Sequence, residues 1–229
     1  MVIASIHFAD VGAAQAVRML RTPRRADGLR HAAAGLAVPL ATSPLPAVFR
    51  GRVGLVAFWT DDEALDRFLA GHRYAARLLD GWHARLEPLR AYGTWPGLPD
   101  DTERDRTTGY EGPAIVLTLG RLRLTQTRRF LRTSALAETA ALDAPGLIWA
   151  TAMARPPFVA TCSLWESSRA LSDYAYGRTR PAHPDAIVAN EARAFHRRSA
   201  FIRFRPYRVA GSLGGTNPLP TSAMAAQLP

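Results

Sequence analysis

The chain has 229 residues, 48% of them hydrophobic, which suits a packed core in one large domain or two small ones and excludes a disordered chain. Its formal charge of +10 is carried by arginine alone, because all 29 Lys+Arg residues are Arg; a phosphate-binding surface ordinarily mixes the two cations, so no nucleic-acid partner is expected. Cys162 is the single cysteine, so there is no internal disulfide, and no Cys/His cluster has zinc spacing.

No apolar run approaches the ~20 residues of a membrane-spanning helix, and the first ten residues read as a strand rather than a charged leader, so a soluble, cytoplasmic protein is expected. In chain order, a short apolar strand (Val2 to Phe8) precedes a helix, then a strand at about Ala37 to Thr42 and another from Val53 to Trp59. Asp61 is the natural N-cap of a helix through Ala64 and Leu65. A helical stretch from Tyr74 to Leu86 then leads to a strand from Arg90 to Trp95.

The second half repeats that order. Strands are expected at Ala114 to Leu119, Leu147 to Ala152, Phe158 to Trp165 and Ala200 to Tyr207. Helices are expected around Phe130, after the N-cap Ser167, and from Asp185 to Arg197. The sequence itself recurs: Arg21-Thr22 matches Arg132-Thr133 and Gly35-Leu36 matches Gly146-Leu147 at an offset of 111, and Phe58-Trp59 matches Leu164-Trp165 at 106.

The order β-α-β-β-α-β is the split βαβ unit, with helices on one face of a four-stranded sheet and the other face apolar. The expected fold class is therefore α+β, with two tandem ferredoxin-like halves packed as a dimeric α/β-barrel-type unit. The halves are placed at residues 1–97 and 112–210, the second holding the site, with a Pro-, Gly- and Asp-rich linker at 98–111 and a loose tail at 211–229.

Hydrolase and nucleotide signatures are missing: there is no phosphate-cradling glycine loop with Lys, no nucleophile elbow and no His-Glu-x-x-His. An enzyme of this sequence would borrow a cofactor. His183 precedes Pro184 and Asp185, which suits the first turn of a helix, where the dipole keeps an imidazole neutral and able to ligate a metal. His196, thirteen residues on, would point about 140° away on the same helix, so only one of the two can face the sheet. Ile187, Asn190 or Glu191, and Ala194 share the face of His183, a stripe that an ordinary core-facing helix also carries. His72 and His83 read as exposed.

The C-terminal half resembles spheroidene monooxygenase and its relatives. The likeness rests on Thr118 with Arg121-Leu-Arg, Phe130-Leu-Arg-Thr, Pro157-Phe-Val-Ala-Thr-Cys-Ser-Leu-Trp-Glu, Tyr174 through His183-Pro-Asp-Ala-Ile, and Ala200-Phe-Ile-Arg-Phe-Arg. The resemblance spans roughly residues 112–208 and implies a dimeric α+β barrel that binds b-type haem and uses dioxygen on a lipophilic, carotenoid-like substrate. It places the axial iron ligand on His183, with Ala186 and Ile187 beside it, and an apolar aromatic where this chain has His196, which makes His196 the second choice as ligand. Arg132, Arg155 and Thr161 are the candidate polar groups toward bound dioxygen or peroxide, and Trp149 and Trp165 candidate pocket walls. No flavin or iron–sulfur signature is present, so an external electron donor is implied. A haem-dependent dehydratase or an enzyme of N–O or N–N bonds on the same fold stands as the alternative, as does a binding protein without catalysis; a homodimer is also open.

Overall fold

The computed structural model describes residues 1–23, 26–40, 51–105, 108–176 and 195–219, the side chains of 135–140 and 176 excepted. The first half runs β1 (Ile3–Asp10), α1 (Ala13–Arg18), β2 (Leu29–Pro39), β3 (Arg52–Trp59), α2 (Asp62–Gly71) and β4 (Trp82–Gly93). The second runs β5 (Ala114–Leu122), α3 (Thr127–Leu142), β6 (Leu147–Arg155), β7 (Phe158–Trp165), α4 (Ser168–Tyr176) and β8 (His196–Ala210). All eight strands form one closed antiparallel barrel in the order β1-β3-β2-β6-β7-β5-β8-β4. Each half is a ferredoxin-like four-stranded sheet, and two seams join them: β2 to β6 from Leu36↔Ala154 to Pro39↔Thr151, and β4 to β8 from His83↔Ala210 to Gly93↔Ala200.

Strand periodicity follows from this closure. Ala4, Ile6 and Phe8 point into the barrel with Leu117, Cys162, Ile202 and Phe204. Ile3 and Ala9 point outward beneath α1 and α2, against Trp59, Leu65 and Phe68. With both faces covered, β1 is buried over seven of its eight residues and reads as an unbroken apolar run. The caps are as expected: Asp61 accepts from the Ala64 amide at 2.8 Å and Ser167 from the Ala170 amide at 3.0 Å.

The duplication is structural, although its frame differs from the sequence match at one strand. Leu29 pairs with Trp59 and Leu147 with Trp165, each followed by a register shift, so Leu29 corresponds to Leu147 and the preceding Gly28 to Gly146. Gly35, matched to Gly146 by sequence, lies instead inside β2. Gly28 and Gly146 have φ of 72° and 80°, and their carbonyls accept from Thr60 at 2.9 Å and Glu166 at 2.8 Å. The last strands also correspond: buried Arg85 on β4 bonds Asp62 and Asp66 of α2, and buried Arg203 on β8 donates to Ser172 of α4 at 3.1 Å.

Four expectations about the elements are corrected. β2 lies at 29–39 rather than 37–42, because its bulged start must pair with the end of β3. The stretch 74–86 is only a short 3₁₀ turn, Ala75–Arg77, before β4 begins at Trp82, since β4 must run antiparallel to β1 from Phe8↔Trp82 onward. His196 opens strand β8 rather than lying on a helix, which removes the angular argument relating it to His183. The tail, expected to be loose from 211, packs on the barrel through 219: Trp82 Nε1 donates to Asn217 Oδ1 at 2.9 Å and Leu219 is fully buried.

A Cβ at Gly28 would lie 2.4 Å from the Ala64 Cβ, and one at Gly146 would lie 2.5 Å from the Ala170 Cβ, each on a left-handed backbone. Gly28→Ala and Gly146→Ala are each expected to cost about 2 kcal/mol or more in urea unfolding, from strain and overpacking together. An effect below about 0.5 kcal/mol at either site would contradict the packing of helix on strand described here.

Candidate functional site

The two outer sheet faces, alike in construction, differ in how they are covered. Along β3 the outward residues Val53, Leu55, Ala57 and Trp59 are all buried. Along β7 the burial alternates, and the outward Val159, Thr161 and Ser163 are only half-buried. The same holds for Ala150, Ala152 and Ala154 of β6, Thr118 of β5 and Phe201 of β8. Under α3 and α4 the outer face of the second sheet is therefore partly exposed among the described residues, a shallow cleft whose floor is mostly of small residues.

The register places the floor in rows. Ala152, Thr161, Thr118 and Phe201 lie side by side across β6, β7, β5 and β8, and Ala154, Val159, Gly120 and Ser199 form the next row. In the first half, the row corresponding to Thr161, Thr118 and Phe201 holds Leu55, His7 and His83. There the His7 and His83 rings stack with centroids 5.2 Å apart and fill the space, so His83 is half-buried rather than exposed; His72 is half-buried too.

His196 stands at the edge of the cleft. Its ring meets Phe130 of α3 edge-on at 5.3 Å, and a Cβ at Gly120 would lie 2.6 Å from its Nε2. Glycine at 120 thus provides the room the imidazole occupies. Burial holds the His196 pKa below the ordinary imidazole value, so the ring is neutral at neutral pH. Phe195, beside it, packs on Phe130 and carries the Arg129 guanidinium 4.5 Å over its ring.

Of the residues singled out by sequence, Thr161 and His196 share this face. Arg132 is exposed on α3. Arg155 lies at the β6 end and donates to the Leu20 carbonyl at 2.7 Å, tying the halves together. Trp149 packs inside the barrel, its ring 5.2 Å from Phe8 and 6.1 Å from Trp82. Trp165 is buried under α4, stacked on Tyr174 at 5.0 Å. His183 and Ile187 lie outside the described residues. Gly120 escaped sequence reasoning, because a small residue within an apolar strand gives no sign of what it accommodates.

The first half holds a different polar cluster. Trp59 Nε1 donates to Ser5 Oγ at 2.9 Å, and Ser5 Oγ lies 3.0 Å from His7 Nε2, so the serine proton completes the chain to a neutral imidazole. Full burial, then His83 and Arg85, push the His7 pKa down to about 3. Burial likewise pushes the Cys162 thiol up, leaving it inert inside the barrel.

No family profile and no characterised protein sequence matches the chain. Solved structures do share its fold. An aldoxime dehydratase in complex with butyraldoxime superposes with a TM-score of 0.53 at 10% identity, covering 90% of this chain and 79% of that one. A candidate monooxygenase from Fusobacterium nucleatum subsp. nucleatum gives 0.40 at 10% identity, with 92% and 94% covered. A heme-degrading enzyme from Listeria monocytogenes gives 0.30 at 12% identity, with 86% and 98% covered. At 10% identity the dehydratase superposition shows a shared fold alone, in keeping with the strand order of the closed barrel. Among the described residues no helix is long and apolar enough to cross a membrane.

The buried His7 predicts a pH dependence. Its folded pKa lies below the unfolded value of 6.5, so protonation favours unfolding; its stabilisation is complete above pH 6.5 and is lost as the pH falls from there toward 3. That loss is up to about 1.4 kcal/mol per pH unit. In urea unfolding, His7→Gln is expected to flatten the slope by up to about that amount per unit between about pH 6 and pH 4.5 and to leave it unchanged above about pH 7, and an unchanged slope below pH 6 would overturn the assignment.

Proposed function

We propose that the cleft on the second half binds b-type haem and that the protein is a haem-dependent oxidoreductase acting on a small or lipophilic substrate. The observation that carries this reading is the half-open outer face of the second sheet, floored by Ala, Gly, Ser and Thr and edged by the neutral His196, where the equivalent first-half face is closed by larger side chains. The donor set suits the group. Among the described residues no three His, Cys, Asp or Glu side chains could hold a metal ion together, whereas haem would carry its own four nitrogens and would need only a single imidazole from the chain.

The assignment of that ligand to His183 follows the sequence resemblance. In the sequence 19 residues separate Tyr176 from His196, against ten between Gly71 and Trp82, and His183 is one of the 19. Bound haem would supply redox and oxygen-activating chemistry. The chain's own contributions are positional and protic. Thr118 and Thr161 face each other across β5 and β7, their hydroxyls available to orient a polar group above the floor. The neutral His196 can take up or return a proton at the substrate, and Phe130 and Phe201 limit water at the cleft edge. A proton-transferring imidazole serves elimination of water as readily as oxygenation, so dehydration of a nitrogen-bearing substrate is the second reading, one that matches the named activity of the aldoxime dehydratase neighbour.

Protein expressed with a haem precursor is expected to show a Soret band that His183→Ala abolishes or shifts. Gly120→Val, which drives a side chain into the His196 ring, is expected to weaken haem uptake about tenfold or more, one decade in Kd, while secondary structure is unchanged. If the wild type shows no Soret band and takes up no added haemin, the haem reading fails. If the band survives His183→Ala but not His196→Ala, the ligand is His196.

A further inference from the structure

At one end of the barrel, four strand ends place three arginines and a phenylalanine in a single row on the inward-facing register. Arg155 of β6 and Arg121 of β5 flank Phe158 of β7, and Arg121 stands directly opposite Arg198 of β8. Arg121 and Arg198 are both exposed, and like charges directly opposite on antiparallel strands repel, so the pair gives the mouth an excess of positive charge that favours an anion. Among the described residues no carboxylate does so: neither Arg121 nor Arg198 has a side-chain hydrogen bond or ion pair, and Arg155 uses one nitrogen on the Leu20 carbonyl.

A second observation lies at the same mouth. Trp95 is 7% exposed, its ring 5.9 Å from Phe158 and 6.2 Å from His31, and its indole N–H has no hydrogen-bond partner. A buried donor left unmet costs free energy that a native structure ordinarily recovers elsewhere. The segment carrying Trp95 is held in place: Arg30 Nε donates to the Gly97 carbonyl at 3.1 Å, and a Cβ at Gly97 would lie 2.8 Å from the Phe58 Cβ. Guanidinium forks, an unmet N–H and flat aromatic walls form a complementary set: the forks match a planar oxyanion, and the walls match a flat apolar body.

We propose that this barrel mouth binds a small organic carboxylate with a flat apolar body, held by Arg121, Arg198 and the Trp95 N–H over Phe158. The site is on the inner register, opposite to the cleft face, and does not depend on haem.

Benzoate is the probe, followed by calorimetry and by ligand-induced melting shifts at constant ionic strength, with acetate, benzamide and inorganic phosphate as comparators. Saturable benzoate binding is expected, about tenfold tighter than acetate, with no binding of benzamide. The double variant Arg121→Gln, Arg198→Gln is expected to lose benzoate affinity about tenfold or more, while melting no lower than wild type without ligand because a like-charged pair is removed. Trp95→Phe, which keeps the ring and deletes the N–H, should weaken benzoate several-fold. Haem uptake by the double variant should match the wild type, so this proposal and the haem reading fail separately. Benzoate affinity unchanged in the double variant, benzamide binding as tight as benzoate, phosphate preferred over benzoate, or no saturable benzoate binding at millimolar concentration would each overturn the proposal.

Discussion

A four-stranded sheet with helices on one side has a second apolar face that must be kept from water, and everything else in this protein follows from how that face is hidden. Each half presents it to the other, and the two seams close the sheets into one barrel whose interior holds Phe8, Leu117, Ile202 and Phe204 together. Closure leaves no free strand edge. It also commits the inner faces to packing, so chemistry is left to the outer faces and the barrel ends.

The outer faces share a frame and differ in content. In both halves a tryptophan ends the third strand, hydrogen-bonds a serine and packs on an aromatic of the following helix: Trp59 with Ser5 and Phe68, Trp165 with Ser163 and Tyr174. In both, a buried arginine of the last strand reaches that helix. Arg85 finds two carboxylates, with Tyr207 of the second half also donating to Asp62 at 2.9 Å, whereas Arg203 finds the Ser172 hydroxyl. Both ties are charge-assisted, because the guanidinium donor is ionised in each, and the one on α2 is bridged to the second half through Asp62. The closed face and the partly exposed face differ in side-chain content, Leu55, His7 and His83 in one standing where Thr161, Thr118 and Phe201 stand in the other.

Much of this fold was legible in the sequence because repetition and apolar periodicity are local signals. Phe158 to Trp165 was read at its observed bounds, and both N-caps, Asp61 and Ser167, are where their side chains predict. The errors arose where long-range pairing decides. The stretch from Tyr74 to Leu86 carries helix-forming Ala, Arg and Leu, yet pairing with β1 draws its second part into β4. The match of Gly35 to Gly146 followed residue identity, whereas the pairing of Leu29 and Leu147 with the two tryptophans sets the true frame. For the site, Thr161 and His196 were named, but their shared face depends on register, and the sequence placed His196 on a helix. Arg155 and Trp149 have the chemistry of site residues and point to the inner register, a matter of strand parity that composition does not report.

The covalent joining of the halves has a consequence for how such a barrel can change. Were it assembled from two identical chains, any residue that opened a cleft on one side would open it on both, and stability would fall twice for a single gain. Here one copy can keep Leu55 and the stacked His7 and His83 as ballast while the other exchanges them for Thr161, Thr118 and Phe201. Duplication within a single chain thus separates the mutational fate of the two sheets, leaving one free to specialise while the other maintains the fold.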